Sequence, residues 1–348
     1  MRYPFLPAGA FVAAFLVLVP AFWHWRARNV PTLSLIAWLF TLDVVYGANG
    51  LVWSDDVWDR APVWCDVSAK LIIGAWTALP ACTLCICKYL AMIGGNRTVG
   101  LDRTDRRRIA IFDFALCWGV PVIFMALHYI VQDHRYNIVQ YVGCQPATYV
   151  SIPGILIVWV PPLLLSIGTL AYAGIALYHF VQMRVVFSSV LQVSDSPMPT
   201  NRYIRLIGMS ATLALWGIAL ASLAIWANVA ATGLRPWVSW GDVHSGWDRV
   251  DAYVWFLMSL ESRRIVGVGW WAIPVSSGIV FVFLGFGEDA SKEYRRVGEA
   301  VMKVIPCRVL PERKEDLGKR MLLTSPVPSS VLRFVFLEAN SLTRLTFS

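Results

Sequence analysis

Long apolar runs, each bounded by short polar segments, recur along the chain from its first residues to about residue 287. A helix needs about 20 predominantly apolar residues to cross the hydrocarbon core of a bilayer. Seven runs reach that length, and each predicts a membrane-spanning helix. The predicted spans are residues 4–25, 31–53, 66–93, 108–131, 149–182, 205–230 and 264–287.

The remaining segments do not have the pattern of a span. Residues 253–258 are apolar but too short to cross, so we expect 232–262 to be a loop at the membrane interface. Residues 1–20 do not show a charged start with a small-residue cleavage site before a soluble domain, as a signal peptide would, and they predict the first span instead. We therefore predict an all-α membrane protein, with a seven-transmembrane helix bundle over 1–287 and a short cytoplasmic tail over 288–348.

The composition agrees with burial in a membrane. Of all residues, 57% are hydrophobic and 15% are charged, whereas a soluble domain has about 45–50% apolar and about 25% charged residues. The net charge of +8 lies mainly in short loops between apolar runs. Because a nucleic-acid groove needs a continuous basic surface, we expect membrane lipid, and no nucleic acid, to contact these groups.

The basic residues also predict an orientation. The loops after spans one, three and five, and the segment after span seven, are rich in Arg and Lys, whereas the alternate loops are acidic or mixed. The positive-inside rule then places the N-terminus outside and the C-terminus in the cytoplasm. An odd number of spans requires the same arrangement.

The cysteines fall into two groups. Cys65 and Cys144 both lie on the predicted outer side, where an oxidising environment preserves disulfides, so we expect them to be bridged; two free thiols are the alternative. Cys82, Cys85 and Cys87 lie in apolar sequence without a nearby His, which favours packing over a metal site. No cofactor is expected.

Several ionisable or polar residues lie inside predicted spans, where charge is costly. Asp66 and Lys70 are spaced i,i+4 in span three, so either they form an ion pair or they line a ligand cavity. Asp43 and Asn49 in span two, and Asp113 in span four, are candidates for hydrogen bonds between helices.

Catalytic patterns are absent from the sequence. No His pairs with Cys or acidic neighbours at metal spacing, and there is no phosphate-binding Gly loop or nucleophile elbow. Residues 264–287 contain no Lys for a retinal Schiff base, which excludes a rhodopsin-type pigment. A small-solute transporter is a less favoured alternative, because no internal repeat is visible. We do not expect an enzyme.

Six groups of residues, taken together in this order and spacing, resemble the fungal lipopeptide (a-factor-type) mating pheromone receptors, which are class D G-protein-coupled receptors. The likeness covers most of residues 1–294. The segments are GANGLVW at 47–53, WCD at 64–66, ALPACTLCI at 78–86, HRYNI at 134–138 with GCQP at 143–146, RYIRL at 202–206, and FGEDA at 286–290.

The resemblance implies a ligand and a site. The ligand would be a secreted short peptide with a farnesylated, methylated C-terminal Cys, recognised at the plasma membrane by a multi-pass receptor. A prenyl group needs an apolar cavity, and Asp55, Asp56 and Asp59 would select basic groups of the peptide. Some of the Trp residues could instead form an interface belt. The candidate ligand-binding residues are Asn49, Trp53, Trp64, Asp66, Lys70, Trp76 and Trp270.

The resemblance also implies a heterotrimeric G protein, bound through its alpha subunit, that activates a mating MAP-kinase pathway. We expect the cytoplasmic ends of spans five and six, joined by 183–201, to move. A homodimer is a further candidate assembly, and an orphan member of the family without a mating role is the alternative function. The candidate coupling residues are Arg106, Arg107, Arg108, Arg184, Arg202 and Arg205.

The start of the predicted tail has an amphipathic pattern over 290–305, typical of a helix that lies in the membrane plane. Cys307 follows this basic segment and is a candidate for palmitoylation, with an ordinary exposed thiol as the alternative.

Overall fold

A computed structural model describes residues 5–95, 102–187 and 200–286, with side chains described except at 183–187 and 200. The described residues contain seven helical segments long and apolar enough to cross a membrane, which confirms the predicted number and type of span. The spans are, in order, Phe5–Leu18 with Ala21–Arg26; Val30–Val52; Pro62–Gly94; Arg103–Phe114 with Ala115–Gly119, Val120–Leu127 and His128–Val131; Ile152–Gly154 with Ile155–Trp159 and Val160–Phe187; Thr200–Thr232; and Leu260–Gly285.

Side-chain caps explain where several of these helices begin. A helix leaves its first N–H groups without partners, and a short polar side chain just before the helix can accept from one of them. Asn29 Oδ1 accepts from Thr32 N–H at 3.4 Å, and Ser259 Oγ accepts from Ser262 N–H at 3.0 Å. Span seven therefore begins at Leu260, four residues earlier than the apolar pattern alone predicts.

Prolines shape spans four and five. Both contain one π-helical stretch, Ala115–Gly119 and Ile155–Trp159, immediately before Pro121 and Pro161. Proline lacks an N–H group and leaves the carbonyl four residues earlier without its helical donor. For Pro121 that carbonyl is Cys117 C=O, which instead accepts from the indole of Trp38 at 3.1 Å. The Cys117 carbonyl that Pro121 leaves without a helical donor therefore joins span four to span two.

The loops at one end of the bundle form a small sheet, which the prediction of an all-helical protein did not include. The strands are β1 (Tyr136–Val139), β2 (Gly143–Gln145) and β3 (Val250–Tyr253), in the order β2-β1-β3. β1 pairs antiparallel with β2 and parallel with β3. The end of the bundle that carries this sheet is called the sheet end below.

The segment expected to be an interfacial loop is therefore partly ordered secondary structure. Besides β3 it contains the short helix Trp240–Val243 and the 3-10 turn Trp255–Leu257. The parallel pairing of β1 with β3 joins residues more than 100 positions apart, such as Tyr136 and Val250. A local hydrophobic pattern carries no information about such a partner, because β3 is short and has no neighbour near it in sequence.

The core lies where spans one, two, three, five, six and seven meet. Leu35, Leu39 and Leu42 of span two are fully buried there. The thiols of Cys82, Cys85, Cys87 and Cys117 are free and buried in the same region, as packing predicts. Within the described parts of the chain, no three His, Cys, Asp or Glu side chains are placed to hold a metal ion.

Candidate functional site

The disulfide fixes the sheet on the bundle. Cys65 at the start of span three is bonded to Cys144 of β2, with their Cα atoms 5.1 Å apart. Both residues are completely buried, together with Trp53 and Tyr136. The Trp53 carbonyl accepts from Tyr141 N–H at 2.9 Å, and its indole donates to the Trp58 carbonyl at 3.0 Å. Trp53 is thus part of the small core under the sheet.

Asn49 and Trp64 lie beside this small core. The Trp64 indole donates to Asn49 Oδ1 at 2.7 Å, which joins spans two and three near the sheet end. Gly143 covers Asn49 so closely that a Cβ at 143 would lie 2.5 Å from Asn49 Cβ, and its φ of +82° favours glycine. This contact seats the hairpin of β1 and β2 directly on span two.

Asp66 and Lys70 do not pair with each other, so the ion pair that their i,i+4 spacing suggests is wrong. The Asp66 carboxylate accepts from Arg135 Nε at 2.9 Å and Nη2 at 2.6 Å. Lys70 Nζ donates to Gln132 Oε1 at 2.6 Å and lies 3.1 Å from His128 Nδ1. The segment 132–135 brings a planar guanidinium to the carboxylate, and two parallel hydrogen bonds are stronger than one ammonium contact.

The proposed hydrogen bond of Asp43 between helices is present, since Asp43 Oδ2 accepts from Ser277 of span seven at 2.5 Å.

A second ionic cluster connects β1 to β3. His134 Nδ1 lies 2.8 Å from Asp133 Oδ1, and His134 Nε2 lies 2.8 Å from Asn137 Oδ1 and 3.6 Å from Asp251. Arg249 pairs with Asp251 at 3.0 Å and lies 3.1 Å from His134 Nδ1. Burial disfavours the charged form of His134, but the hydrogen bonds and the two carboxylates outweigh it and raise its pKa.

An apolar cavity of about 250 Å³ lies between spans two, three, five, six and seven, from the middle of the bundle towards the sheet end. On span six its wall runs from Leu213 to Asn228, roughly 22 Å at 1.5 Å per residue. Its volume is close to the lower end of the range of about 300–1,000 Å³ for ligand pockets. Other lining residues include Leu39, Tyr46, Trp76, Pro162, Trp216, Ala221, Ile273 and Ser276.

Three polar side chains on the cavity wall donate to carbonyls of their own helices, whereas the indole N–H of the lining residue Trp216 has no hydrogen-bond partner. Thr83 Oγ1 donates to Pro80 C=O at 3.0 Å, and Asn228 Nδ2 donates to Ala224 C=O at 2.8 Å. Ser276 Oγ donates to Ala272 C=O at 2.7 Å. No Asp, Glu, Lys, Arg or His is among the described lining residues. The cavity therefore presents a surface that suits an apolar ligand.

The predicted ligand residues do not converge on this cavity as one group. Of the seven, Trp76 lines it, and Trp270 is buried behind it, with its ring stacked 5.9 Å from that of the lining residue Tyr46. The five residues Asn49, Trp53, Trp64, Asp66 and Lys70 are not among the lining residues and hold spans and loops together at the sheet end.

The sequence analysis missed the wall formed by span six. Gly217, Ala221, Ala224 and Ala227 line the cavity and recur at spacings of three or four residues, which puts them on one helical face. Small residues on such a face either allow close packing of helices or leave space between them. That periodicity was the available signal, but it cannot decide between the two outcomes.

At the opposite end of the bundle, Tyr203 of span six contacts two other spans. Its hydroxyl lies 2.9 Å from Leu90 C=O in span three and 3.0 Å from Ala176 C=O in span five. Its ring stacks on Phe180 with the centroids 5.4 Å apart. A Cβ at Gly94 would lie 2.7 Å from the hydroxyl oxygen, so the tyrosine needs a glycine there. These contacts fasten spans three, five and six together.

The candidate coupling residues are divided at this end. Arg106, Arg107 and Arg108 are exposed on the first turns of span four. Arg202 and Arg205 are half-buried, and Arg205 donates to the Phe283 carbonyl of span seven. The side chain of Arg184, Cys307 and the predicted tail 288–348 lie outside the described residues.

Comparison with known proteins gives a consistent result. Residues 5–303 match the family model described as STE3, pheromone A receptor. The chain is 42% identical to the Pheromone B beta 1 receptor of Schizophyllum commune over 95% of this chain and 62% of that protein. It is 30% identical to Pheromone receptor 1 of Mycosarcoma maydis over 88% of this chain and 86% of that protein. It is 25% identical to the Pheromone a factor receptor of Saccharomyces cerevisiae over 82% of this chain and 59% of that protein.

The chain is shorter than some of these proteins. It spans 62% of the length of the first Schizophyllum commune relative and 49% of the Pheromone B alpha 3 receptor of the same fungus. The family match covers all the described residues and, with the seven apolar helices, makes this a multi-pass protein of the plasma membrane. The resemblance found in the sequence is confirmed: the chain belongs to the STE3 family of pheromone A receptors.

Proposed function

We propose that this protein is a G-protein-coupled receptor for a secreted, farnesylated mating pheromone. The prenyl group of the pheromone would occupy the apolar cavity between spans two, three, five, six and seven. Membership of the STE3 family and the names of the relatives support a pheromone as ligand. The observation that carries the proposal is the cavity itself, because no charged side chain is among its described lining residues and three of its polar side chains are hydrogen-bonded within their own helices.

The energetics favour an apolar chain in this position. Each CH₂ group transferred from water into an apolar site contributes about 0.8 kcal/mol. A ligand with several buried polar groups would lose hydrogen bonds to water, and few free partners would replace them. The peptide part would then face the sheet end, where Asp55 is exposed, while Asp56 pairs with Arg60 and Asp59 accepts from Tyr136.

Signal transfer would use the helices that share the cavity wall. A ligand shifts an equilibrium between two arrangements only by its difference in affinity for them. A change from mostly inactive to mostly active requires roughly 10⁴-fold discrimination, about 5.5 kcal/mol. Span six lines the cavity from Leu213 onwards. Tyr203 and Arg205 lie on the same helix, at the end away from the sheet. A movement of span six would break those contacts and open a surface for the G protein near the exposed Arg106 to Arg108.

The test is a panel of synthetic peptides with and without a C-terminal farnesyl group, applied to yeast reporter cells that carry this receptor at their surface. We expect a response to one or more farnesylated peptides and none to their unprenylated forms. Ala221→Phe would fill the cavity and abolish the response, whereas Ala219→Phe, at an exposed position on the same helix, would preserve it.

Two results would contradict the proposal. An equal response to prenylated and unprenylated peptides would remove the role of the cavity as a prenyl site. No response to any peptide, with the receptor shown at the surface, would favour an orphan receptor of the same family.

A further inference from the structure

We propose that the ligand's apolar group enters the cavity sideways from the bilayer, through a gap beside Gly269 in span seven, and not through the sheet end. This inference rests on the proposed function, because it concerns access to the same cavity. It is carried by two observations: the loops cover the sheet end of the bundle, and the cavity wall is exposed at one residue on the lipid-facing side.

The sheet end is closed by side chains that reach into the helical core. Val139, Tyr141 and Val142, from β1 and the turn after it, are each buried, with at most 5% of their surface exposed. They belong to the same hydrophobic cluster as Tyr46 and Trp270, beside the cavity, and Trp255 packs against that cluster from the second long loop. The loops thus place a hydrophobic layer against the part of the core that borders the cavity at Tyr46.

The second long loop, residues 233–259, is attached along most of its length. At its start, Arg235 N–H donates to Val150 C=O at 2.9 Å and the Trp237 indole donates to Ile130 C=O at 3.2 Å. In its middle, His244 Nε2 lies 2.9 Å from Tyr129 C=O. These contacts fasten the loop over spans four and five.

The same loop is then fastened to the loop that carries β1 and β2, residues 132–151. Gln140 N–H donates to Tyr253 C=O at 3.0 Å, and Trp255 N–H donates to Gln140 Oε1 at 3.1 Å. β1 is itself tied to span three through β2 and the disulfide. Opening a path from water would require several of these bonds to break together.

The lateral wall is different at Gly269. Of the described residues that line the cavity, Gly269 alone is exposed. A Cβ built on it meets no atom within 4 Å, so there is open space where a side chain would be. Val268 and Val275 on the same helix are exposed apolar residues, as expected of a face in contact with lipid. Gly269 lies at the border between that face and the cavity.

The chemistry of this route suits a lipid-modified ligand. A prenylated peptide partitions reversibly into the bilayer surface, so its apolar chain is already dissolved beside the helices. The walls next to the gap are Ile265, Ala272 and Ile273 of span seven, and no charged side chain is among the described lining residues. The chain would therefore pass from lipid into the cavity without meeting water.

The experiment compares Gly269→Leu with Gly267→Leu in purified receptor in lipid nanodiscs, with a fluorescent farnesylated peptide that activates the receptor. Gly267 is a matched control, because its Cβ would also meet open space but it does not line the cavity. A side chain in an entrance hinders entry and exit alike. We expect Gly269→Leu to slow both association and dissociation by about an order of magnitude, with little change in Kd, and Gly267→Leu to change neither rate.

Other outcomes separate the two proposals. If Gly269→Leu leaves both rates unchanged while Ala221→Phe abolishes binding, the lateral entrance is wrong and the prenyl site stands. An increase in Kd with an unchanged association rate would show that a side chain at 269 hinders the bound ligand and not its entry, which also contradicts an entrance. If Ala221→Phe binds normally, the proposed function itself fails. Should leucine at 269 prevent folding, Gly269→Ala against Gly267→Ala gives the same comparison with the smallest side chain.

Discussion

At the scale of single residues, the hydroxyl of Tyr203 is the contact on which we expect the resting state to depend. It joins span six to the carbonyls of Leu90 in span three and Ala176 in span five. Both carbonyls belong to helices that remain intact without it. Loss of this hydroxyl would therefore weaken the connection between the spans more than it would weaken any one helix.

We predict that Tyr203→Phe raises ligand-independent signalling. The phenyl ring keeps its stacking on Phe180, and only the hydrogen bond is lost. Such a bond contributes about 0.5–1.5 kcal/mol, which corresponds to a rise of roughly 2- to 10-fold in the active fraction. The measurement is basal reporter output per receptor at the cell surface, with Tyr178→Phe, at an exposed position in span five, as the control. Equal basal output for Tyr203→Phe and the unmodified protein would exclude this role.

Asp66 and Lys70 illustrate the limit of residue spacing as a guide. Their i,i+4 separation on a helix permits an ion pair, yet the structure gives Asp66 a guanidinium from residue 135 and Lys70 the side chains of Gln132 and His128. Spacing describes only what the same helix offers. The loop that supplies Arg135 and Gln132 competes successfully because its donors and acceptors arrive in a better geometry.

At the scale of elements, the sheet is the feature that we expect to respond to pH, through His134. The His134 pKa is raised: burial opposes its charge, and hydrogen bonds to Asp133 and Asn137 and the nearby Asp251 outweigh that effect. A group whose pKa is raised in the folded state stabilises the fold at pH values below its unfolded-state pKa, about 6.5 for His. This stabilisation is lost as the pH rises through the folded-state pKa. The Asp133 pKa is lowered: burial opposes its charge, and the hydrogen bond to His134 together with the charges of His134 and Arg249 outweighs that effect. The stabilisation from Asp133 is present at pH values above its unfolded-state pKa of about 3.9, and it is lost as the pH falls through its folded-state pKa.

We therefore predict that the pairing of β1 with β3 is most stable at mildly acidic pH, between about 3.9 and about 6.5, where both contributions are fully present. Hydrogen exchange of the amides in 136–139 and 250–253, corrected for its intrinsic pH dependence, should be slowest there and faster near and above neutral pH. His134→Gln retains a donor for Asn137 but cannot carry the charge, so its exchange should lose the dependence near neutral pH. An unchanged pH profile in this variant would show that another group is responsible.

The prolines show how an element can be predicted while its role is not. A proline inside a span predicts a disturbed helix, and the π-helical stretches before Pro121 and Pro161 agree with that. The sequence did not show that the carbonyl released by Pro121 would be used by Trp38 of another span. The disturbance is local, but its hydrogen-bond partner depends on which helix lies alongside.

At the scale of the whole molecule, the bundle places two differently built ends on opposite sides of the membrane. One end has the disulfide and the sheet, and the other has the exposed Arg106 to Arg108. Disulfides persist in oxidising surroundings, and Lys and Arg collect on the cytoplasmic side. Both facts support the orientation that we predict from the sequence, with the N-terminus outside.

We predict that epitope tags at the two termini are detected on opposite sides of the plasma membrane. In intact cells, an antibody should reach an N-terminal tag without permeabilisation, and a C-terminal tag only after it. Tags on the same side would contradict seven crossings. Tags on opposite sides but with the termini exchanged would reverse the orientation and the placement of both the ligand and the G protein.

The sequence by itself determined the number of spans, the class of fold and the family, because each depends on local apolar length and on motifs read in order. It also predicted the pair Cys65 and Cys144, which the structure joins. Only the tertiary structure decided that β3 pairs with β1, that Asp66 meets Arg135, and that small residues on span six border a cavity. The physical reason is the same in each case: these contacts join segments far apart in the chain, and their energy depends on which surfaces face each other after the helices have packed.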